Sequence, residues 1–189
     1  RGLLQKVPCE LHHAHLPENF EQAKARILEC GDVSALSSTR HVASFQSADM
    51  SAHSKFQISD ADVVLVSGGA SVGDKDFTRP LLEWLGSEIV FTRLNLRPGA
   101  PLIFGVDGQR AAFGLPGNPL SHFVCFHLFV AAALAKLSGG EPVKFSHGRL
   151  AVKLAEPENS RETWWPAREE AAGLVPLAWA SSGDVSCLA

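Results

Sequence analysis

Two stretches of this sequence place small, flexible residues directly after an apolar run and directly before a helix, an arrangement suited to holding anions. The first is Ser67-Gly68-Gly69-Ala70-Ser71-Val72-Gly73-Asp74-Lys75-Asp76, behind Val63-Val64-Leu65-Val66. The second is Leu115-Pro116-Gly117-Asn118-Pro119-Leu120-Ser121, behind Phe113-Gly114. Glycines let a backbone approach a ligand and adopt positive φ, and the unpaired N–H groups of a helix start attract phosphate. Ser67 and Ser71 add hydroxyl donors. Asp76 stands where a helix cap belongs, so capping and contact with a ligand or metal are both open on spacing alone. A third stretch, Arg93-Leu94-Asn95-Leu96-Arg97, spaces two guanidiniums four apart. In a strand that spacing shares a face, and two forks side by side suit phosphate or another oxyanion, whereas a solvated sheet edge is the alternative. Two other clusters have blander explanations. His12-His13-Ala14-His15 has no carboxylate or thiol nearby in sequence, and an edge strand accounts for it as well as a metal does. Trp164 and Trp165 could stack on a flat ring, but burial in a small β core is the commoner fate of such residues.

The elements that must position these groups are legible in outline. Val7–His15 reads as a strand. Pro17 opens an expected helix with Glu18 and Glu21 in its first turn, where carboxylates suit the dipole. Residues 31–59 are Ser-rich and lack periodicity, so a mobile insertion is expected there. Asp62–Val66 is a continuous β-branched run, the mark of a strand buried on both faces of a parallel sheet. The segment from Phe77 to Gly86 reads as a helix ended by glycine. Glu88–Leu96, Leu102–Val106 and Arg110–Leu115 read as strands, the last two joined by an Asp107-Gly108 hairpin turn. Asn118 and Pro119 are a favoured cap and first residue for a helix running to Leu137. Ligands of open α/β sheets sit at the carboxyl ends of strands, so both glycine turns are expected to lie there, side by side. From about Glu141 the pattern turns to short alternating segments. The expected fold class is therefore α/β, a three-layer sandwich on a mostly parallel sheet (residues 1–140), with a small β domain over 141–189.

Composition excludes little and agrees with this. The chain has 189 residues, 46% hydrophobic and 20% charged, with a net charge of −3. That balance gives no electrostatic case for nucleic acid, and the most apolar stretch, Phe123–Leu137, carries His127 and Lys136, so no membrane span is expected. Cys9, Cys30, Cys125 and Cys187 are scattered with no CxxC pair, which fits a reducing compartment, and no signal peptide pattern is present.

The three segments SGGASVGDKDF, RPGAPLIFG and GLPGNPLSHFVCFHLFVAAALAKLSG together resemble the MoeA proteins and the gephyrin E domain. The resemblance is close from Asp62 to Gly139 and weaker toward Leu3 and through RETWWPA and SSGDVSCLA. It implies a cytoplasmic enzyme of molybdenum cofactor biosynthesis, a molybdopterin molybdotransferase. Such an enzyme inserts molybdate into adenylylated molybdopterin and releases AMP with Mg2+ or another divalent cation. A pterin-binding scaffold and a molybdopterin adenylyltransferase are the alternatives. Carried over from the family, Asp76 is the catalytic and metal-contacting candidate. Ser67, Gly68, Gly69, Ser71, Gly73, Asp74, Arg93, Arg97, Pro116, Gly117, Asn118, Pro119, Ser121 and Ser182 are substrate-binding candidates. A homodimer, and other cofactor-biosynthesis proteins as partners, are implied in the same way. Three departures stand out. Arg97-Pro98-Gly99-Ala100-Pro101 replaces a family Lys-Pro-Gly-Lys-Pro. Trp164-Trp165-Pro166 occupies a region where the family has an arginine. The stretch 31–59 has no counterpart in the resemblance. The family's N-terminal domains, which complete its site from the other subunit, are not in this sequence, so a piece of a longer protein is expected.

Overall fold

The computed structural model describes residues 10–15, 21, 41–46, 61–68, 77–108, 110–141, 144–154, 160–178, 181, 183, 185 and 186. Its strands are β1 (Glu10–His15), β2 (His41–Gln46), β3 (Val63–Ser67), β4 (Glu88–Phe91), β5 (Leu96–Arg97), β6 (Ile103–Asp107), β7 (Arg110–Leu115), β8 (Glu162–Thr163), β9 (Ala167–Glu170) and β10 (Gly173–Pro176). Helix α1 spans Thr78–Trp84, and α2 runs from Pro119 to Leu137 with a π turn over Phe126–Val130. The architecture is α/β, as expected.

Six strands form one sheet in the order β1-β2-β3-β7-β6-β4. From β1 through β7 the pairs are parallel, and from β7 through β4 they are antiparallel. The change of direction has a local cause. Asp107 pairs with Arg110 across a tight turn, Gly108 takes φ +58°, and a two-residue turn can only join antiparallel strands.

Side chains alternate across β3, and each set meets a different helix. Val64 and Val66 join Phe77, Leu81 and Leu82 of the α1 layer, together with Ile103 and Ala112. Val63 and Leu65 join Leu115, Cys125, Phe126, Val130 and Leu134 of the α2 layer. The period-2 geometry of a strand makes this two-sided burial unavoidable once every residue is apolar. Helix α2 is apolar enough to cross a membrane by length and hydropathy. Its buried stripe, Leu120, Cys125, Phe126, Val130 and Leu134, covers the sheet instead.

The structure corrects the sequence reading at three places. His41–Gln46, inside the stretch expected to be a mobile insertion, forms β2 between β1 and β3; its Val42, Ala43 and Phe45 supply strand character that the surrounding serines mask. The rest of 31–59 lies outside the described residues. The expected strand Glu88–Leu96 stops at Phe91, and Leu96–Arg97 pairs with β8 in a separate sheet. The helix expected from Phe77 begins at Thr78, with Phe77 as its cap residue. Of the helix expected from Pro17, only Glu21 is described, and it is helical.

Beyond Gly140 the described residues hold β strands and no α-helix. β9 and β10 form an antiparallel hairpin, and Leu150 bridges to Leu174. This segment is fastened to the chain around β5: Asn95 O accepts from Glu162 N–H at 3.0 Å, and Arg97 O accepts from Trp164 N–H at 2.8 Å. The tryptophans are not core residues. Trp164 is half-buried, touching Phe145, and Trp165 is exposed, its indole N–H donating to Leu177 O. A two-stranded ribbon encloses too little volume to bury two indoles.

Candidate functional site

β3 and β7 lie side by side in parallel register, Ser67 opposite Leu115, so their carboxyl ends open at one place. Gly68 N–H donates to Leu115 O at 3.3 Å, tying the two ends together. Gly68 has φ +90°, a conformation glycine adopts without steric penalty. It turns the chain out of the sheet toward Gly69–Asp76, which lies outside the described residues. The far side of this turn is pinned from α1: the buried Thr78 hydroxyl donates to Gly68 O at 2.8 Å.

The second turn closes over the first. Gly117 approaches Gly68 so nearly that a β-carbon on it would lie 3.7 Å from Gly68 Cα. Asn118 is the N-cap of α2, with extended φ −68° and ψ 124°, and its side chain makes no capping bond. The first intrahelical bond runs from His122 N–H to Asn118 O at 2.9 Å. The Leu120 and Ser121 N–H groups lie in the first turn and so lack intrahelical acceptors, while Pro119 has no N–H to satisfy. An anion met there gains the positive end of a helix of 19 residues.

Two residues that sequence reasoning passed over hold this junction, Thr78 and His122. His122 Nδ1 lies 3.2 Å from Ser67 Oγ. Its pKa is lowered, chiefly by burial, while a hydrogen bond to the Pro116 backbone opposes the shift. The ring is therefore neutral near pH 7. The available signal was helical spacing, since His122 stands four residues after Asn118 and so rises on the same side of the helix.

The expected residues divide sharply. Ser67, Gly68, Pro116, Gly117, Asn118, Pro119 and Ser121 gather at the carboxyl ends of β3 and β7, although the Ser121 side chain is buried. Gly69, Ser71, Gly73, Asp74, Asp76 and Ser182 lie outside the described residues. Arg93 and Arg97 do not share a strand face. Arg93 is exposed in an irregular segment and Arg97 sits in the two-residue β5, because β4 has already ended and the chain turns toward β8. The turn after Arg97 nonetheless packs on α2. The Cys125 thiol donates to Gly99 O at 3.4 Å, and burial pushes that thiol up to about 12. Cys125 is thus a packed, protonated side chain. Among the described residues no group of three His, Cys, Asp or Glu side chains is placed to hold a metal ion.

Comparison with known proteins bears on the same elements. Residues 46–136 match the family described as "Probable molybdopterin binding domain". The chain is 43% identical over 111 residues to the molybdenum cofactor synthesis protein cinnamon of Drosophila melanogaster, covering 59% of this chain and 18% of that protein. It is 44% identical over 81 residues to a molybdopterin molybdenumtransferase of Haemophilus influenzae, covering 43% of this chain and 20% of that one. It is also 40% identical over 112 residues to gephyrin of Dictyostelium discoideum, covering 51% and 15%. A molybdopterin biosynthesis MoeA protein structure from Pyrococcus horikoshii superposes with TM-score 0.50 at 29% identity, covering 69% of this chain and 31% of that one. The chain thus spans about a fifth or less of the length of these curated relatives.

Proposed function

We propose, from the premise that residues 46–136 belong to the molybdopterin-binding family, that this chain supplies the pterin-nucleotide crevice of a molybdopterin molybdotransferase. The observation that carries the reading is the parallel β3–β7 pair, which sets a glycine turn and the start of α2 against each other at one sheet end. Switch-side crevices of this kind bind phosphorylated ligands through backbone N–H groups.

In the proposed reaction the two dithiolene sulfurs of adenylylated molybdopterin form Mo–S bonds to molybdate, and one oxo group leaves as water with the two thiol protons. Water then adds to the adenylyl phosphorus, the phosphoanhydride P–O bond breaks, the pterin phosphate leaves, and AMP is released. The part assigned to these residues is binding and orientation. The Leu120 and Ser121 N–H groups face an anionic oxygen, Asn118 lines the mouth, and Arg93 and Arg97, which share no strand face, are carried over from the family as substrate contacts. A divalent cation belongs to the proposal with Asp76 as its ligand. Asp76 lies outside the described residues, and the described ones form no cation cluster; a bound cation would offset negative charge on the phosphate. A cytoplasmic location and a homodimer complete the reading.

The test is titration calorimetry of adenylylated molybdopterin into the 189-residue chain, followed by chromatographic detection of AMP after adding molybdate and Mg2+. Binding with molybdate-dependent AMP release is the expected result. Binding without release would make the chain a pterin-binding scaffold. Pyrophosphate release from ATP and molybdopterin would make it an adenylyltransferase.

A further inference from the structure

Gly68 joins two peptide units, and each is held from a different element. The unit before it is fixed by β7, since Gly68 N–H donates to Leu115 O at 3.3 Å. The unit after it carries the Gly68 carbonyl, which accepts from the Thr78 hydroxyl at 2.8 Å. A carbonyl has no proton to give, so chemistry alone settles the direction of this bond. Thr78 has no exposed surface, and its other branch is engaged too: a β-carbon on Gly114 would lie 2.5 Å from Thr78 Cγ2. One buried side chain thus seats its methyl on β7 and its hydroxyl at the end of β3.

The direction of that carbonyl matters at an anion crevice. The α1 and α2 layers cover opposite faces of β3, so an oxygen held by Thr78 is turned toward α1 and away from the first turn of α2. Gly68, at φ +90°, has no β-carbon to restrict its next torsion, so without the hydroxyl that peptide unit can swing. A buried carbonyl left without a donor is disfavoured, and swinging to the crevice mouth would give it water. The negative end of its dipole would then face the anionic oxygen of the ligand.

We infer that Thr78 is a positioning residue for anion binding: it holds the Gly68 carbonyl out of the crevice, so that the side facing Gly117 and the start of α2 presents donors rather than this acceptor. Having no exposed surface, Thr78 acts through Gly68 and not by touching the ligand. This deepens the proposed function and rests on it for the identity of the ligand.

The test separates the two branches of Thr78. Thr78→Val keeps the methyl and removes the hydroxyl, whereas Thr78→Ser keeps the hydroxyl and removes the methyl. AMP binding to the 189-residue chain is measured by calorimetry at fixed salt, beside the urea midpoint of each variant. Apparent affinity falls with the fraction of chains whose carbonyl stays in place. Thr78→Val is therefore expected to weaken AMP binding about three- to ten-fold, the worth of one neutral hydrogen bond. Thr78→Ser should bind AMP as the unaltered chain does, although the lost methyl lowers its urea midpoint. Thr78→Ala, which loses both branches, should match Thr78→Val in affinity. Affinity that follows the urea midpoint through all three variants would make Thr78 a packing residue only and overturn the inference. Unchanged affinity in Thr78→Val would overturn it too. The Gly68 carbonyl carbon resonance needs no ligand: it should move in Thr78→Val and hold in Thr78→Ser, and a fixed resonance in Thr78→Val sinks the inference whatever binds. If the unaltered chain does not bind AMP, the proposed function fails, and the anion role of Thr78 fails with it.

Discussion

β3 and β9 are both short strands, yet they are held in different ways. Four of the five β3 residues are buried and the last is half-buried, with alternate side chains packed under α1 and α2. All four residues of β9 are exposed, and the segment around it is tied to the sheet region mainly by backbone bonds at Asn95 and Arg97. Strand geometry is common to both, so the difference lies in what covers them. A covered strand derives its stability from apolar burial and close packing. An uncovered one depends on hydrogen bonds whose net worth in water is small.

The comparison breaks most visibly through the core. Leu81 has no exposed surface and packs against β3 from α1, so Leu81→Ala should cost about 2–5 kcal/mol. The measurement is the urea midpoint at constant slope, and a loss below about 1 kcal/mol would contradict the packing described here. Gly114→Ala should come next, because the added β-carbon would lie 2.5 Å from Thr78 Cγ2 and 3.0 Å from Ile103 Cβ. Overpacking of that kind costs about 1–3 kcal/mol. It should also disturb the Thr78 bond to Gly68, visible as faster amide exchange at the end of β3.

The C-terminal side should respond far less. Asn95→Ala removes the bond from the Asn95 side-chain amide to Ser160 O, 3.0 Å long and exposed. Global stability should fall by at most about 1 kcal/mol, while amide exchange at Glu162 and Trp164 quickens. Equal quickening in β3 would show that the two regions open as one unit, against the contrast drawn above.

The pH response sharpens the comparison at the smallest scale. In the unfolded chain His122 protonates near its ordinary 6.5, whereas the folded ring, its pKa lowered mainly by burial, resists protonation. Below pH 6.5 the unfolded state therefore binds more protons, so stability is full above that value and falls as pH drops through it. It levels off once the folded ring is charged as well. His122→Asn should flatten that part of the profile, and identical urea midpoints against pH in the two proteins would contradict this. Cys125 offers a companion readout. With its thiol pushed up to about 12 by burial, it should resist alkylation at pH 8 in the folded chain and react on unfolding, as read on its own peptide by mass spectrometry.

Much of the fold was legible because its signals are local. The run Val63–Val66, the Asp107-Gly108 turn and the Asn118-Pro119 helix start each sit within a few residues, and all three stand as read. β2 was not legible, because six residues among serines carry too little pattern to outweigh their surroundings. The Arg93–Arg97 clamp failed for a related reason. Spacing four apart implies a shared face only while the strand continues, and nothing within Thr92–Asn95 announces that pairing ends at Phe91 and resumes with a partner some 65 residues later in β8.

What the sequence determined by itself was therefore the pair of glycine turns, the helix starts after them and the two-sided burial of β3, since each follows from neighbouring residues and the period of one element. What only the tertiary structure decided was which elements meet. It set β3 beside β7, so that Ser67 and Leu115 end together. It placed His122 of α2 against Ser67, 55 residues earlier, and it pinned the first turn from Thr78. Contacts of that kind depend on how separate apolar faces are covered, and the covering is a property of the whole sheet rather than of any window along the chain.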